Sequence, residues 1–296
     1  MLLGSQFPNT SGVAKSGNFT LLSANYNELF DLRPGKPTLF QQTVAGSQTL
    51  TLTRTLASDV ALDFNAVSYP YLIVGIIGIG NAPYEGQILP AVNFSVNGKW
   101  GNGGANVKSC QAQVGPSGLA SAFAIFKASE KVGATATTTA TAALTANFQT
   151  AFGNFGLGEF IVLGCDEVPI NSVSEPIVNQ NQTSRASNRT PNLTLRDAYR
   201  NVSVNFAPLT RGNARGVPTS ANFSRNLRDA LYAATRNGAC FIAPEWRNPG
   251  SAGPDLPTLM ECGYLANLMS PNPSLMFNAT DGSGMYRGSA AFEELA

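Results

Sequence analysis

Asp166 and Glu167 stand side by side just after the apolar run Phe160–Leu163. They are the one pair of carboxylates placed where a strand end could present an acid and a base. Neighbouring residues on an extended chain point to opposite faces, so the pair works together only if the chain turns there. Other routes to chemistry are thinner still. The 296 residues contain no histidine, the usual proton carrier near neutral pH. A serine or cysteine nucleophile therefore lacks its common base, and no Ser-x-x-Lys occurs to replace it.

Metal and phosphate motifs fail in the same way. Cys110, Cys165, Cys240 and Cys262 are far apart and form no C-x-x-C, so neither a zinc site nor a redox motif is expected. Buried free thiols are the simplest reading. The glycine-rich stretch 97–105 places Lys99 before Trp100, which breaks the phosphate-loop pattern. No acidic loop of the EF-hand kind occurs. No catalytic activity, cofactor or metal is expected.

Charge is sparse, at 12% of residues, and the formal net charge is +1. It is also segregated. Residues 185–247 carry ten arginines, no lysine and three acids, a local net charge of +7, whereas 128–184 and 248–296 each carry −4. Arginine suits planar pairing with carboxylate or phosphate. Arg185, Arg189, Arg196, Arg200, Arg211, Arg215, Arg225 and Arg228 are the candidate contacts to a neighbouring subunit or to phosphates. Internal pairing competes with both uses. Few aromatic residues interleave with them, which argues against base stacking.

The elements that must position these side chains look mainly β. Ser47–Arg54 (SQTLTLTR) alternates Thr with Leu, a half-buried strand, and Val60, Leu62 and Phe64 alternate likewise. Pro34–Pro37 reads as a turn. The longest apolar run, Tyr69–Ile79, is too short to span a bilayer and predicts a buried strand, or a strand pair bent at Gly75 and Gly78. Ile88–Val96 reads as a strand interrupted at Pro90.

Residues 117–155 carry mixed signals. Leu119, Phe123, Phe126 and Glu130 fall at helical spacing, yet Phe123, Ile125 and Lys127 also alternate with smaller residues as in a strand. Leu144, Phe148 and Phe152 recur every four residues, favouring a short helix ending near Gly153. The tract Ala134–Ala146 mixes strand-favouring Thr with helix-favouring Ala, and a surface loop ordered by assembly is the other reading. Further on, Thr194 looks like the cap of a helix ending near Asn201, followed by a strand over Val202–Phe206. The clearest helix runs over 224–237, capped by Ser224 and stopped at Asn237–Gly238. A second is expected over 258–269.

These signals predict a mainly β protein, a jelly-roll type sandwich that is either single with insertions or double, with a few short helices in the C-terminal half. Residues 1–170 form the β-rich part, and 171–296 a second β-containing part with the arginine-rich excursion and the two helices. Nine Asn-x-Ser/Thr sequons occur. The opening MLLGSQFPNTSG lacks the basic and apolar regions of a secretory signal, so the sequons are read as a product of composition.

Low charge, turn-rich strands and complementary charged segments suit a subunit that packs against copies of itself. The expected class is a structural, self-assembling subunit of a virus particle, made in the host cytoplasm and resident in the virion. A bacteriophage coat protein forming the shell around the genome is the first reading, a tail-tube or other tail protein the second, and a carbohydrate-binding adhesin or fibre module the third. Expected partners are copies of itself in trimers or hexameric rings, other virion proteins, and weak contact with genome or inner membrane.

Overall fold

The computed structural model describes residues 1–57, 69–80, 90–98, 107–114, 120–127, 139–148, 154–178, 182–185, 191–194, 199–246, 263–269, 274–278 and 284–295. Strands β1 (Leu2–Gln6), β2 (Thr10–Ser16) and β3 (Phe19–Leu21) come first, then a 3-10 turn over Asn27–Phe30 and strands β4 (Thr38–Gln42) and β5 (Gly46–Leu56). Strands β6 (Tyr71–Gly80), β7 (Ala91–Val96), β8 (Lys108–Gln111), β9 (Gln113–Val114), β10 (Ala120–Lys127), β11 (Thr139–Phe148) and β12 (Asn154–Glu167) follow. Next are β13 (Ile170–Ser174), β14 (Ile177–Val178), β15 (Gln182–Arg185), β16 (Pro191–Thr194) and β17 (Tyr199–Leu209). Helices α1 (Arg211–Arg215) and α2 (Leu227–Asn237) precede β18 (Cys240–Ala243), β19 (Tyr264–Leu268), β20 (Ser274–Asn278) and β21 (Met285–Glu294).

The chain is mainly β, as expected, and builds a sandwich. A five-stranded antiparallel sheet, β2-β5-β11-β7-β8, packs on part of a larger sheet whose spine runs β13-β17-β21-β19-β18-β1-β12-β6-β10-β9. Alternation in β5 explains the packing. Leu50, Leu52, Arg54 and Leu56 turn inward and are buried, while the threonines between them face out. They meet Val92, Phe94 and Leu144 from their own sheet and Leu72, Val74, Phe155 and Phe160 from the other.

Strands β6 and β12 lie in the middle of the large sheet and are covered on both faces. Leu72, Val74 and Ile76 point into the sandwich, whereas Tyr71, Ile73 and Ile77 join Leu163, Phe241 and Trp246 on the opposite face. Burial on both faces is why this stretch reads as an unbroken apolar run. It is one strand with a bulge. Against β10 the register shifts at Gly78, with Ala120 opposite Ile79 and Ser121 opposite Ile77, while Ile77 and Ile79 stay in register with Glu159 and Leu157 of β12. Gly78 has φ +75, which glycine alone adopts without strain, and the bulge returns Ile79 to the sandwich side.

The far part of the large sheet is covered by α2. Its buried face is Leu227, Ala230, Leu231 and Ala234, which lies over β1 and β19 in one core with Leu3, Tyr264, Ala266 and Phe292. Gly238 closes the helix at φ 70, as the Asn-Gly signal predicts. The cap is Asn226, whose Oδ1 accepts the Asp229 N–H at 3.0 Å, and not Ser224.

Other expectations are corrected. Leu119 lies outside the described residues, and of the two readings of that stretch the structure takes the strand, with Phe123 and Phe126 in β10. Leu144 and Phe148 belong to strand β11, with Phe152 outside the described residues. Residues 199–201, expected to end a helix, begin strand β17. Residues 264–268 of the helix expected over 258–269 form strand β19, and 258–262 lie outside the described residues, as do Val60, Leu62 and Phe64. In each case a strand partner in the sheet outweighs a local spacing that is also compatible with a helix.

Candidate functional site

The structure separates Asp166 from Glu167. Asp166 faces α2 and accepts the backbone N–H of Ser224 at 2.5 Å. Glu167 faces the other way and accepts the Tyr71 hydroxyl at 3.1 Å. Burial pushes the Asp166 carboxyl up to about 6, against the opposing pull of Ser224 and Arg225. The pair serves two faces of one strand and does not converge on a substrate.

The arginines also divide. Arg200 is buried and fully engaged inside the chain. Its Nε and Nη2 grip Glu294 at 3.0 Å each, its Nη1 lies 3.5 Å from Glu175, and its guanidinium stacks 3.5 Å from the Tyr264 ring centre. Its charge ties β17 to β21 and is not offered to a partner. Arg225 donates to the Tyr69 hydroxyl, and Arg215 lies 5.3 Å from the ring centre of Tyr286. Arg228 pairs with its neighbour Asp229 at 3.2 Å, an exposed contact of little energetic weight. Arg211 is exposed at the start of α1. Arg185 sits at the end of β15, opposite Pro191. Arg189 and Arg196 lie outside the described residues.

A second constellation has no counterpart in the sequence reading. A cleft of about 490 Å³ opens where the chain crosses from β1 in the large sheet to β2 in the small one. Its floor is Arg54, from β5, and Glu159, from β12. Arg54 is 4% exposed. It donates from Nε to Thr10 Oγ1 at 2.8 Å, from Nη1 to the Phe160 carbonyl at 2.7 Å and from Nη2 to the Pro8 carbonyl at 2.7 Å. The Phe30 ring centre is 4.7 Å from its guanidinium. This arginine therefore pins the crossover to both sheets, and burial lowers it to about 10.

Glu159 is completely buried. Burial pushes its carboxyl up to about 9, so it is protonated at neutral pH; Asp31 adds to the shift, while the Arg33 N–H and Arg54 oppose it. The segment holding Asp31 is itself constrained. Leu32 has φ +61, the single non-glycine residue with positive φ among the described residues. Strain of this kind persists where surrounding structure over-determines the backbone. Here the Pro34 carbonyl sits over the bulge, 2.7 Å from where a Cβ on Gly78 would stand and 2.3 Å from one on Gly158. Two facing glycines let the loop approach this closely.

The cleft's rim includes Asn27, Asp31 and Asn237, all exposed, with half-buried Phe7 and Phe30. Arg54 brings one positive charge, Asp31 one negative, and Glu159 none at neutral pH. Glu159 has no exposed surface. Among the described residues no cluster of three or more metal-ligating side chains forms, and no described helix is long and apolar enough to cross a membrane.

No protein-family model matches the chain, and no curated protein matches it. Among solved structures, it is similar to the enzymatically active domain of tailspike protein 4 of bacteriophage CBA120, with 14% identity and a TM-score of 0.30. That likeness covers 55% of this chain and 20% of the tailspike chain. At so low a score it carries no weight for fold or function.

Proposed function

We propose that this chain is a structural, self-assembling subunit of a virus particle, in the finer reading a bacteriophage coat protein built on a jelly-roll type sandwich. The observation that supports it is the outer face of the five-stranded sheet. Across this face Ala14, Thr53, Thr141 and Ser95 stand in one row, and Ser16, Thr51, Ala143, Asn93 and Ser109 in the next. Thr49 pairs with Thr145 at 3.1 Å, and Thr53 with Thr141 at 3.4 Å. The chain has nineteen basic and eighteen acidic residues, yet none of the described residues on this face is charged.

A flat field of small hydroxyls can lie against another copy without desolvating charge and without like-charge repulsion. Lysine and glutamate are what usually discourage such packing on exposed sheets. Near-zero net charge acts in the same direction.

Sedimentation and electron microscopy of the purified chain, over a range of concentration and salt, test the reading. Shells are expected; tubes or rings would move the assignment to a tail protein. A monomer at all concentrations would overturn self-assembly. A Thr53→Lys, Thr141→Lys double variant is expected to stay folded and to lose assembly.

A further inference from the structure

We propose that the cleft above Arg54 binds a neutral sugar residue of a glycan. Its size falls within the range of about 300–1,000 Å³ typical of small-ligand sites, at about 490 Å³. Its chemistry decides the class of ligand. Asn27 offers a donor and an acceptor at the exposed rim, Asn237 offers its Oδ1 while its Nδ2 donates to the Ser5 carbonyl at 2.6 Å, and Asp31 offers a carboxylate acceptor. Phe7 and Phe30 supply half-buried ring surface beside them. Amides, a carboxylate and aromatic rings in one cleft match a molecule with hydroxyls on its edges and C–H groups on its faces.

The electrostatics favour a neutral occupant. Arg54 and Asp31 bring one charge of each sign, so the cleft holds no net charge that selects an ion. A polyhydroxyl ligand suits it, because each hydroxyl can donate to the carboxylate or accept from an amide. The geometry is also preset. Asp31 Oδ1 accepts the Arg33 N–H at 3.0 Å, and the loop behind it is held at Leu32 and close over the facing Gly78 and Gly158. A rim fixed before binding loses less entropy when the ligand arrives. Leu32 pays for that preorganisation in backbone strain.

The inference does not depend on self-assembly, and the test keeps the two apart. The full chain is applied to a glycan array carrying neutral, amino-bearing and acidic glycans, and titration calorimetry follows with the best neutral oligosaccharide. Binding to neutral glycans is expected, at least tenfold weaker in Asp31→Ala and in Asn27→Ala, and unchanged in the remote control Asp229→Asn. Thermal melts establish that each variant is folded; should Asp31→Ala fail to fold, Asn27→Ala decides. Absence of neutral-glycan binding, binding to acidic glycans alone, or affinity unaltered in Asp31→Ala and Asn27→Ala would each overturn the proposal.

Discussion

Asp31 Oδ1 and Glu159 Oε1, 128 positions apart in the chain, accept the same backbone N–H, that of Arg33, at 3.0 and 2.6 Å. Two carboxyl groups drawn to one donor cannot both ionise cheaply. Glu159 is the buried member and keeps its proton. Its Oε2 has no hydrogen-bond partner among the described residues. The loop that carries Asp31 to the cleft is thus fastened to β12 through a neutral acid.

Glu159 makes stability depend on pH in an unusual direction. Its carboxyl titrates at about 9 in the folded chain against an ordinary 4.5. The folded state therefore holds a proton that the unfolded chain releases between those values. Its stabilising contribution is complete below about pH 4.5, erodes as pH rises and is gone above about pH 9. Glu159→Gln keeps an oxygen for the Arg33 N–H and cannot ionise. At pH 8 the variant is expected to be more stable than the parent by roughly 1–3 kcal/mol, with the difference vanishing below pH 5. Urea titrations at both pH values check this; equal stabilities at pH 8 would refute it.

Asp166 adds a second step of the same sign at lower pH. Burial raises it from 3.8 to about 6, so its contribution is full below about pH 3.8 and lost through pH 6. Asp166→Asn retains an acceptor for the Ser224 N–H and is expected to flatten the melting temperature between pH 4 and 6. A profile as steep as the parent's would count against the assignment.

Arg200 is expected to be among the most damaging positions to truncate. Arg200→Ala leaves Glu294, with its side chain 2% exposed, buried without its cation, at a cost of about 3–5 kcal/mol. Arg200→Lys is expected to fall between, since an ammonium cannot hold both carboxylate oxygens in the same fork. Chemical denaturation ranks the three proteins. A loss below 1 kcal/mol in Arg200→Ala would show that the cluster does not hold β17 to β21.

Gly158→Ala tests the seat of the Asp31 loop. The new Cβ would stand 2.3 Å from the Pro34 carbonyl oxygen and 2.8 Å from that of Ile77, both backbone atoms. Something must shift, and a destabilisation of about 1–3 kcal/mol is expected. Gly80→Ala, where a Cβ meets nothing within 4 Å, serves as the control in the same melts.

Burial raises the thiols of Cys110 to about 11 and Cys240 to about 12, and lifts Cys165 well above its ordinary range. The thiolate is the reactive species. In a Cys262→Ser background the folded protein is expected to react slowly with a disulfide reagent at pH 8, and to release three equivalents on denaturation. A fast-reacting equivalent in the native state would contradict this burial.

The sequence by itself determined what nearest neighbours decide. Thr-Leu alternation made β5 legible as a half-buried strand, and Asn237–Gly238 marked the end of α2, because each signal is completed within a few residues. Tertiary pairing decided the ambiguous segments. Phe123 and Phe126 fit a helical spacing while Phe123, Ile125 and Lys127 alternate as in a strand, and pairing with β6 decides for strand β10. The Ala/Thr tract balances two propensities, and register with β5 and β7 settles it as β11. Arg200 looked like its neighbours in an arginine-rich stretch; only the fold sets Glu294 and Glu175 around it. The cleft was the least legible of all. Asp31, Arg54 and Glu159 are single charges in unrelated segments, and a site made by bringing three strands and a loop together leaves no spacing in the chain to announce it.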